Sequence, residues 1–310
     1  MSNKQKYGWK VECLWLFCRS LAIMPHWYQY YVVAEFIYFV LRYVVRYRRR
    51  LVLRQLAESF PEKSEQERRQ ICNKYYKSLA CIFVDIITLA GMSDKEKARR
   101  IKVTMPEELL DEARGRNIVV LCSHYGCWEY LMIAAQHFVD HHVIGAYHPL
   151  KSKVWNDLFI KLRTCDHLTP VASSSFMRFY LDHRDGIKGK SLLLGLIADQ
   201  NSPANKDNRW YDFLNHPTYF FEGGESVALK YNLPVYYADL DCTSRGHYHF
   251  SFFKIYDGEE QVAPHTITER YVKALEKTIC RRPELWMWSH RRWKYAPDPV
   301  TGKPTYVGGR

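Results

Sequence analysis

The sequence predicts an α/β fold: a mixed, largely parallel sheet flanked by helices, with an N-terminal membrane-anchoring helical segment ahead of it. Two observations carry this reading. From residue 101 onward, short apolar runs alternate with helical stretches, the pattern of a buried, largely parallel sheet. Ahead of them, two apolar, aromatic stretches are closed by the arginine cluster "RYRRR" at 46–50. The composition is that of a globular protein, with 47% hydrophobic and 25% charged residues among 310, enough chain for one large domain plus an accessory segment. The net charge of +12 points to an anionic partner: nucleic acid, an anionic bilayer surface or an acidic carrier protein.

The start "MSNKQKYGWK" is basic, but no small-residue cleavage site follows, so no removable signal peptide is expected. Residues 11–25 are apolar but interrupted by Glu12 and Arg19, and residues 30–45 contain Glu35 and Arg42. Neither gives the long charge-free run of a simple spanning helix. An apolar aromatic stretch followed by Arg46–Arg50 and Arg54 reads as an anchor with its arginines at the headgroups. A pair of core helices with a solvated basic turn is the alternative. Lys4, Lys6 and Lys10 on the other side leave the orientation open, and the sequence does not say whether the segment spans or embeds. The chain is divided accordingly into an anchoring segment, 1–50, and a main domain, 51–310.

Ser64 with Glu67 three residues on forms a capping box that starts a helix running towards Gly91. Residues 94–100, "DKEKARR", read as a charged, solvated connection. Strands are expected at 101–105, 117–122, 142–147, 168–172, 191–197, 234–240 and 247–256, and helices at 106–114, 126–139, 152–164, 174–185, 222–232 and 266–281. Residues 201–219 are long, polar and aromatic, and read as a loop. Nine cysteines, an odd number without C-x-x-C spacing, argue against a zinc site or a disulfide framework and for reduced, mostly buried thiols.

The stretch "SHYGCWEY" at 123–130 follows the apolar run 117–122. Along a helix, His124 and Glu129 would lie about 140° apart. They meet only if His124 sits in the turn before the helix and Glu129 on its first turns, which Gly126 permits. A histidine oriented by a carboxylate is a stronger base, and a helix N-terminus there would offer N–H groups to an oxyanion. The spacing alone is weak, since about one such pair is expected by chance, although His124 is the only histidine of this chain with an acid at that offset. A capping histidine with a solvated glutamate fits the same residues. Cys127 as a thioester-forming nucleophile and Ser123 are rivals, and no G-x-S-x-G elbow supports a serine.

This stretch resembles the His–four residues–Glu motif of the lipid A biosynthesis acyltransferases, the lauroyl/myristoyl branch of the glycerolipid acyltransferase superfamily. The resemblance runs from about residue 50 almost to the C-terminus through further blocks: "GAYHPLKSKVWNDLFIKLRT" at 145–164, "LIADQNSP" at 196–203, "FFEGGESVALKYNLPVYY" at 220–237 and "WMWSHRRWKYAP" at 286–297. It departs where Ala198 replaces a frequent Pro and where "FLN" at 213–215 replaces Phe-Phe-Gly, so the local shape of the acceptor pocket is not carried over.

The resemblance implies an inner-membrane O-acyltransferase with its catalytic domain facing the cytoplasm. It would move a fatty acyl chain from acyl carrier protein to a hydroxyl of a lipid A precursor, without metal, cofactor or acyl-enzyme. His124 would be the general base and Glu129 its orienting carboxylate. Arg163 would clamp a phosphate, Asp199 and Gln200 would end a strand at the site, and Asn156, Glu225 and Arg291 would complete substrate binding. Trp286, Trp288, Arg291, Arg292 and Trp293 read as a basic–aromatic edge. An acyltransferase of the same fold acting on a phospholipid or aminolipid is the near alternative. A non-catalytic basic protein for membranes or nucleic acid is the distant one, and nucleic acid is not the expected partner.

Overall fold

A computed structural model describes residues 7–138, 140–200 and 209–308. Helix α1 (Trp9–Ile23) ends before Pro25, which cannot continue its hydrogen bonding. A second helical run follows, with α2 (His26–Tyr28) and α3 (Ala34–Phe39) each succeeded by a π-helical turn, Gln29–Val33 and Val40–Val44. Arg46 and Arg48, both at φ 50°, then break the run and lead into α4 (Arg49–Ser59). No helix among the described residues is long and apolar enough to cross a membrane. Lys4 and Lys6 lie outside the described residues.

Helix α5 (Glu65–Leu89) starts at the expected capping box: Ser64 Oγ accepts from the Glu67 N–H at 3.3 Å, and Glu67 Oε2 accepts from the Ser64 N–H at 2.7 Å. The stretch read as a solvated connection is in fact a helix, α6 (Asp94–Arg100), capped by Ser93 and ending in a buried Arg100. Ser93 and Glu96 repeat the spacing of Ser64 and Glu67, a signal outweighed in the sequence by the density of charge.

The remaining elements alternate, much as the apolar runs indicate. They are β1 (Ile101–Thr104), α7 (Glu107–Ala113), β2 (Ile118–Cys122), α8 (Leu131–Ala134), β3 (His141–Tyr147), α9 (Lys153–Arg163), β4 (Leu168–Ala172), α10 (Phe176–Asp182), β5 (Ser191–Ile197), β6 (Trp210–Phe213), β7 (His216–Tyr219), α11 (Gly223–Tyr231), β8 (Val235–Ser244), β9 (His247–Tyr256), α12 (Thr266–Arg281), β10 (Tyr295–Pro297) and β11 (Pro304–Tyr306). Seven strands form one sheet in the order β1-β9-β8-β2-β5-β3-β4. All its neighbours are parallel except β8 and β9, so the sheet is mixed and mostly parallel. Every residue of β2 is buried, as a central strand covered on both faces requires.

Two expectations need correction. The helix expected over 126–139 is broken into a 3-10 turn, Trp128–Tyr130, then α8, then a second 3-10 turn, Ala135–His137. The region read as a loop contains the antiparallel hairpin β6–β7, whose two turn residues, Leu214 (φ 49°) and Asn215 (φ 64°), have the left-handed backbone of a tight hairpin turn. Its first part, 201–208, lies outside the described residues.

The N-terminal helices pack on the main domain: α1 lies against α5 and α9, and α3 against α5. The contact is polar as well as apolar. Asp85 of α5, fully buried, accepts hydrogen bonds from the hydroxyls of Tyr30, Tyr130 (3.2 Å) and Tyr248 (2.6 Å). Arg100 donates to the Tyr30 hydroxyl at 2.7 Å, to Gln29 Oε1 at 2.9 Å and to Glu96 at 2.6 Å. One carboxylate thus joins the N-terminal run, α5, the turn after β2 and β9. Burial pushes the Asp85 carboxyl up to about 6, against the pull of the three phenols and Arg100.

Because this folded value lies above the unfolded one near 4, stability from Asp85 is fully present at low pH and is lost as pH rises through 6. The swing is about 3 kcal/mol. Denaturant melts between pH 4 and pH 7 should show this component in the wild type and not in Asp85→Asn. An identical slope in both would assign the pH dependence to other groups.

Candidate active site

β2 and β5 lie side by side, with Cys122 opposite Ile197 at their ends, so the residues that follow emerge together at the C-terminal edge of the sheet. Parallel sheets place ligands at that edge. From β2 comes His124 and from β5 come Asp199 and Gln200. The His124 backbone N–H donates to Asp199 Oδ2 at 3.0 Å, and His124 Nδ1 lies 2.7 Å from Asp199 Oδ1. An ionised carboxylate only accepts, so this pairing puts a ring proton on Nδ1, and in the neutral ring it leaves the lone pair on Nε2. The Gln200 side-chain nitrogen is 3.1 Å from Nε2 and fits as a donor to that lone pair.

Asp199 also accepts from the Trp286 indole N–H at 2.8 Å, giving its two oxygens three donors in a site where it is 2% exposed. Burial would raise the Asp199 carboxyl, but His124 and the indole hold it below the ordinary carboxylate range, so it is ionised. The His124 side chain is 17% exposed and meets the Trp128 ring edge-on, with centroids 5.0 Å apart. A small cleft of about 10 Å³ adjoins it, lined by Tyr75, Leu79, Ile82, Trp128, Leu285 and Met287 together with the polar Ser78 and Glu284.

The turn that aims His124 depends on Gly126. Its φ is +55°, and a Cβ there would stand 2.2 Å from Leu240 Cδ2. The Gly126 N–H donates to the Leu285 carbonyl at 2.9 Å, and the Met287 N–H donates to the His124 carbonyl at 3.1 Å. These bonds zip residues 124–126 to 285–287 and deliver Trp286 to Asp199. The block at the chain's end is therefore interior: Trp286, Trp288 and Arg292 are buried, which corrects the expectation of a basic–aromatic edge. Burial lowers the Arg292 guanidinium to about 10, with Asp199 opposing. Sequence reasoning did not single out Trp286 as a partner of Asp199, because 87 residues separate them.

The carboxylate on the histidine is Asp199, where the sequence pointed to Glu129. Glu129 is buried on the 3-10 turn and faces the end of α9, where Arg163 donates Nε to Oε2 at 2.9 Å and Nη2 to Oε1. The physical reason is geometric fit: the guanidinium fork matches a carboxylate edge, while the two N–H groups of His124 match Asp199. Burial works against the Arg163 charge, but Glu129 raises its pKa above the usual value. Lys161 of the same helix donates to Glu12 of α1 at 2.7 Å, tying α9 to the N-terminal segment.

The other expected binding residues are engaged elsewhere. Asn156 Oδ1 accepts the Leu150 N–H at 3.0 Å, and Glu225 Oε2 accepts the Thr268 N–H at 2.9 Å, joining α11 to α12. Arg291 donates to the Gly308 carbonyl. Cys127 is fully buried, and burial, with Asp85 and Glu129 adding, pushes its thiol well above the ordinary value, which denies it the thiolate a nucleophile needs. All nine cysteines are unpaired, five of them buried. Among the described residues, no group of three or more His, Cys, Asp or Glu converges as metal ligands would.

A family model described as bacterial lipid A biosynthesis acyltransferase matches residues 6–295. No curated protein matches the chain.

Removing Arg163 would strand the buried Glu129 carboxylate. Arg163→Ala should cost about 3–5 kcal/mol in chemical denaturation, and Glu129→Gln/Arg163→Ala should recover most of it. Equal losses in the single and double variants would show that the pair is not coupled.

Proposed function

The chain belongs to the bacterial lipid A biosynthesis acyltransferases, and on that premise we propose that it transfers a fatty acyl chain from acyl carrier protein to a hydroxyl of a lipid A precursor at the inner membrane, with its catalytic domain, from about residue 51 onward, facing the cytoplasm. The observation that carries the mechanism is His124, with Nδ1 2.7 Å from a buried, ionised Asp199 and Nε2 beside the cleft.

Nε2 takes the proton of the acceptor hydroxyl as its oxygen attacks the thioester carbon. The C–O bond forms, the carbonyl electrons move onto oxygen, and collapse of the tetrahedral intermediate breaks the C–S bond. The imidazolium returns the proton to the departing thiolate. Asp199 fixes the tautomer and stabilises the imidazolium, the part that the resemblance implies for Glu129. Gln200 holds the ring while no substrate is bound and yields Nε2 to the hydroxyl. Glu129 acts through Arg163: with Nε and Nη2 held, Nη1 is free to meet a phosphate of the acceptor or of the carrier's arm. Asn156 and Glu225 act as supports, by fixing the loop before α9 and the α11–α12 junction. Arg291 takes its place below, on an anion site.

Several observations support the rest of the reading. The apolar side chains Leu79, Ile82, Leu285 and Met287 along the cleft suit the beginning of an acyl chain. The net charge of +12 suits an acidic carrier protein. Trp9, Phe17, Ile23, Trp27, Phe36 and Phe39 are exposed on the N-terminal helices, as embedding in the interface would require. The buried Cys127 thiol favours direct transfer over an acyl-enzyme.

Lipid mass spectrometry of a strain lacking the chromosomal copy tests this. Wild type should restore the missing acyl group and His124→Ala should not; full restoration by His124→Ala refutes the general base. In purified protein, Asp199→Asn should lower kcat by about 10²–10⁴-fold and alter the pH profile. Cys127→Ala should stay within about threefold of wild type, whereas loss of activity in a folded Cys127→Ala would revive the thioester route.

A further inference from the structure

Where the N-terminal helices meet the main domain, a cavity of about 720 Å³ is lined by Arg46, Arg48, Arg49, Arg50, Leu51 and Arg291. Five guanidinium groups around one concavity repel one another unless an anion joins them. Among the described residues, no carboxylate pairs with Arg46, Arg48, Arg49 or Arg50, and Arg49 Nε is buried without a hydrogen-bond partner. Arg48 spends one nitrogen on the Ser289 carbonyl at 2.8 Å.

The backbone contributes too. Arg46 and Arg48 hold left-handed φ of 50°, a cost that an arginine bears only where the surroundings impose it. This turn brings the N-terminus of the 11-residue α4 to the cavity, and its N-cap, Arg48, supplies no side-chain cap. The Arg49 N–H is taken by the Arg46 carbonyl at 3.1 Å, but the Arg50 and Leu51 N–H groups of the first turn and the helix dipole there favour negative charge.

We propose that this cavity is a binding site for the phosphomonoester-bearing headgroup of a lipid held in the membrane surface. Guanidinium forks match phosphate oxygens, and five of them exceed the single charge of a phosphodiester. The lipid source is argued from the chain leading into the cavity: Tyr43, Val44 and Val45 immediately precede Arg46 and are exposed, as is Phe39 one to two turns earlier, so apolar side chains that suit acyl chains run straight into the arginines that suit phosphate.

The cavity wall is joined to the active site by one segment. Gln55 of α4 donates to the carbonyls of Trp288 (2.7 Å) and His290 (3.0 Å) and accepts the Arg292 N–H at 3.0 Å. The same segment carries Trp286 to Asp199. A headgroup seated here is thus held on the stretch of chain that also completes the base. The inference rests on the membrane reading above but not on His124.

The test is vesicle co-sedimentation of the full-length protein. The probes are phosphatidylcholine alone, phosphatidylcholine with phosphatidic acid, and phosphatidylcholine with phosphatidylglycerol at matched charge. Wild type should prefer phosphatidic acid. Arg46→Gln/Arg50→Gln, which removes two exposed arginines, should lose about 30-fold in affinity for those vesicles with an unchanged melting temperature. Arg114→Gln/Arg184→Gln, an equal change in net charge at two exposed arginines outside the cavity lining, should lose little. Equal binding by wild type and the Arg46/Arg50 variant, or an equal loss in the control, overturns the proposal. So does a variant that keeps vesicle binding but loses thermal stabilisation by inorganic pyrophosphate, which would make the ligand a soluble phosphate. Loss of acyl carrier protein binding with vesicle binding intact would make it a protein site instead. His124→Ala should bind vesicles like wild type, so failure of the site and failure of the general base are read separately.

Discussion

The structure turns on a buried carboxylate that has to be satisfied. Asp199 sits at the end of β5 at 2% exposure, where an unmatched charge would be untenable. Three donors from two distant parts of the chain meet it: the backbone and ring of His124 and the indole of Trp286. Each donor imposes a condition. β2 must neighbour β5 in register, Gly126 must turn with positive φ, and residues 285–287 must pair with the turn after β2. The geometry that stabilises the charge is the one that orients the His124 ring, so the fold and the candidate site share a single requirement.

Asp85 repeats the device on the other side of the turn after β2. Its three phenolic donors come from the N-terminal run, from that turn and from β9. The N-terminal helices are therefore joined to the main domain by directional bonds as well as by apolar contact. Two buried acids bracket the segment that carries His124, Gly126 and Glu129: one fixes the ring, the other fixes Tyr130 beside Glu129.

Much of the fold was legible in the sequence, because period and punctuation act locally. The apolar runs at 168–172, 191–197 and 247–256 are strands with those bounds, and the helix at 266–281 likewise. The misreadings share a cause. α6 hid behind its charges, and β6–β7 hid because short aromatic–polar strands look like a loop until Leu214 and Asn215 turn. In the site, His124 was legible from its strand–turn setting, and Asp199 and Gln200 through family resemblance. Which acid serves the histidine was not legible. That depends on a contact across 75 residues, while the nearer Glu129 is claimed by Arg163 across 34. Pairing at such range is set by the sheet order, which local pattern does not encode.

The pairing of residues 285–287 with 124–126 also sets a timetable. During synthesis, His124 and Asp199 leave the ribosome well before Trp286, and a domain generally folds as a unit. Until Trp286 and Met287 arrive, Asp199 lacks one of its three donors and the His124 carbonyl lacks its own. The nascent chain thus carries His124 for much of its translation before the setting of that residue is complete. These bonds close only with the final stretch, by which point the N-terminal helices have long been made.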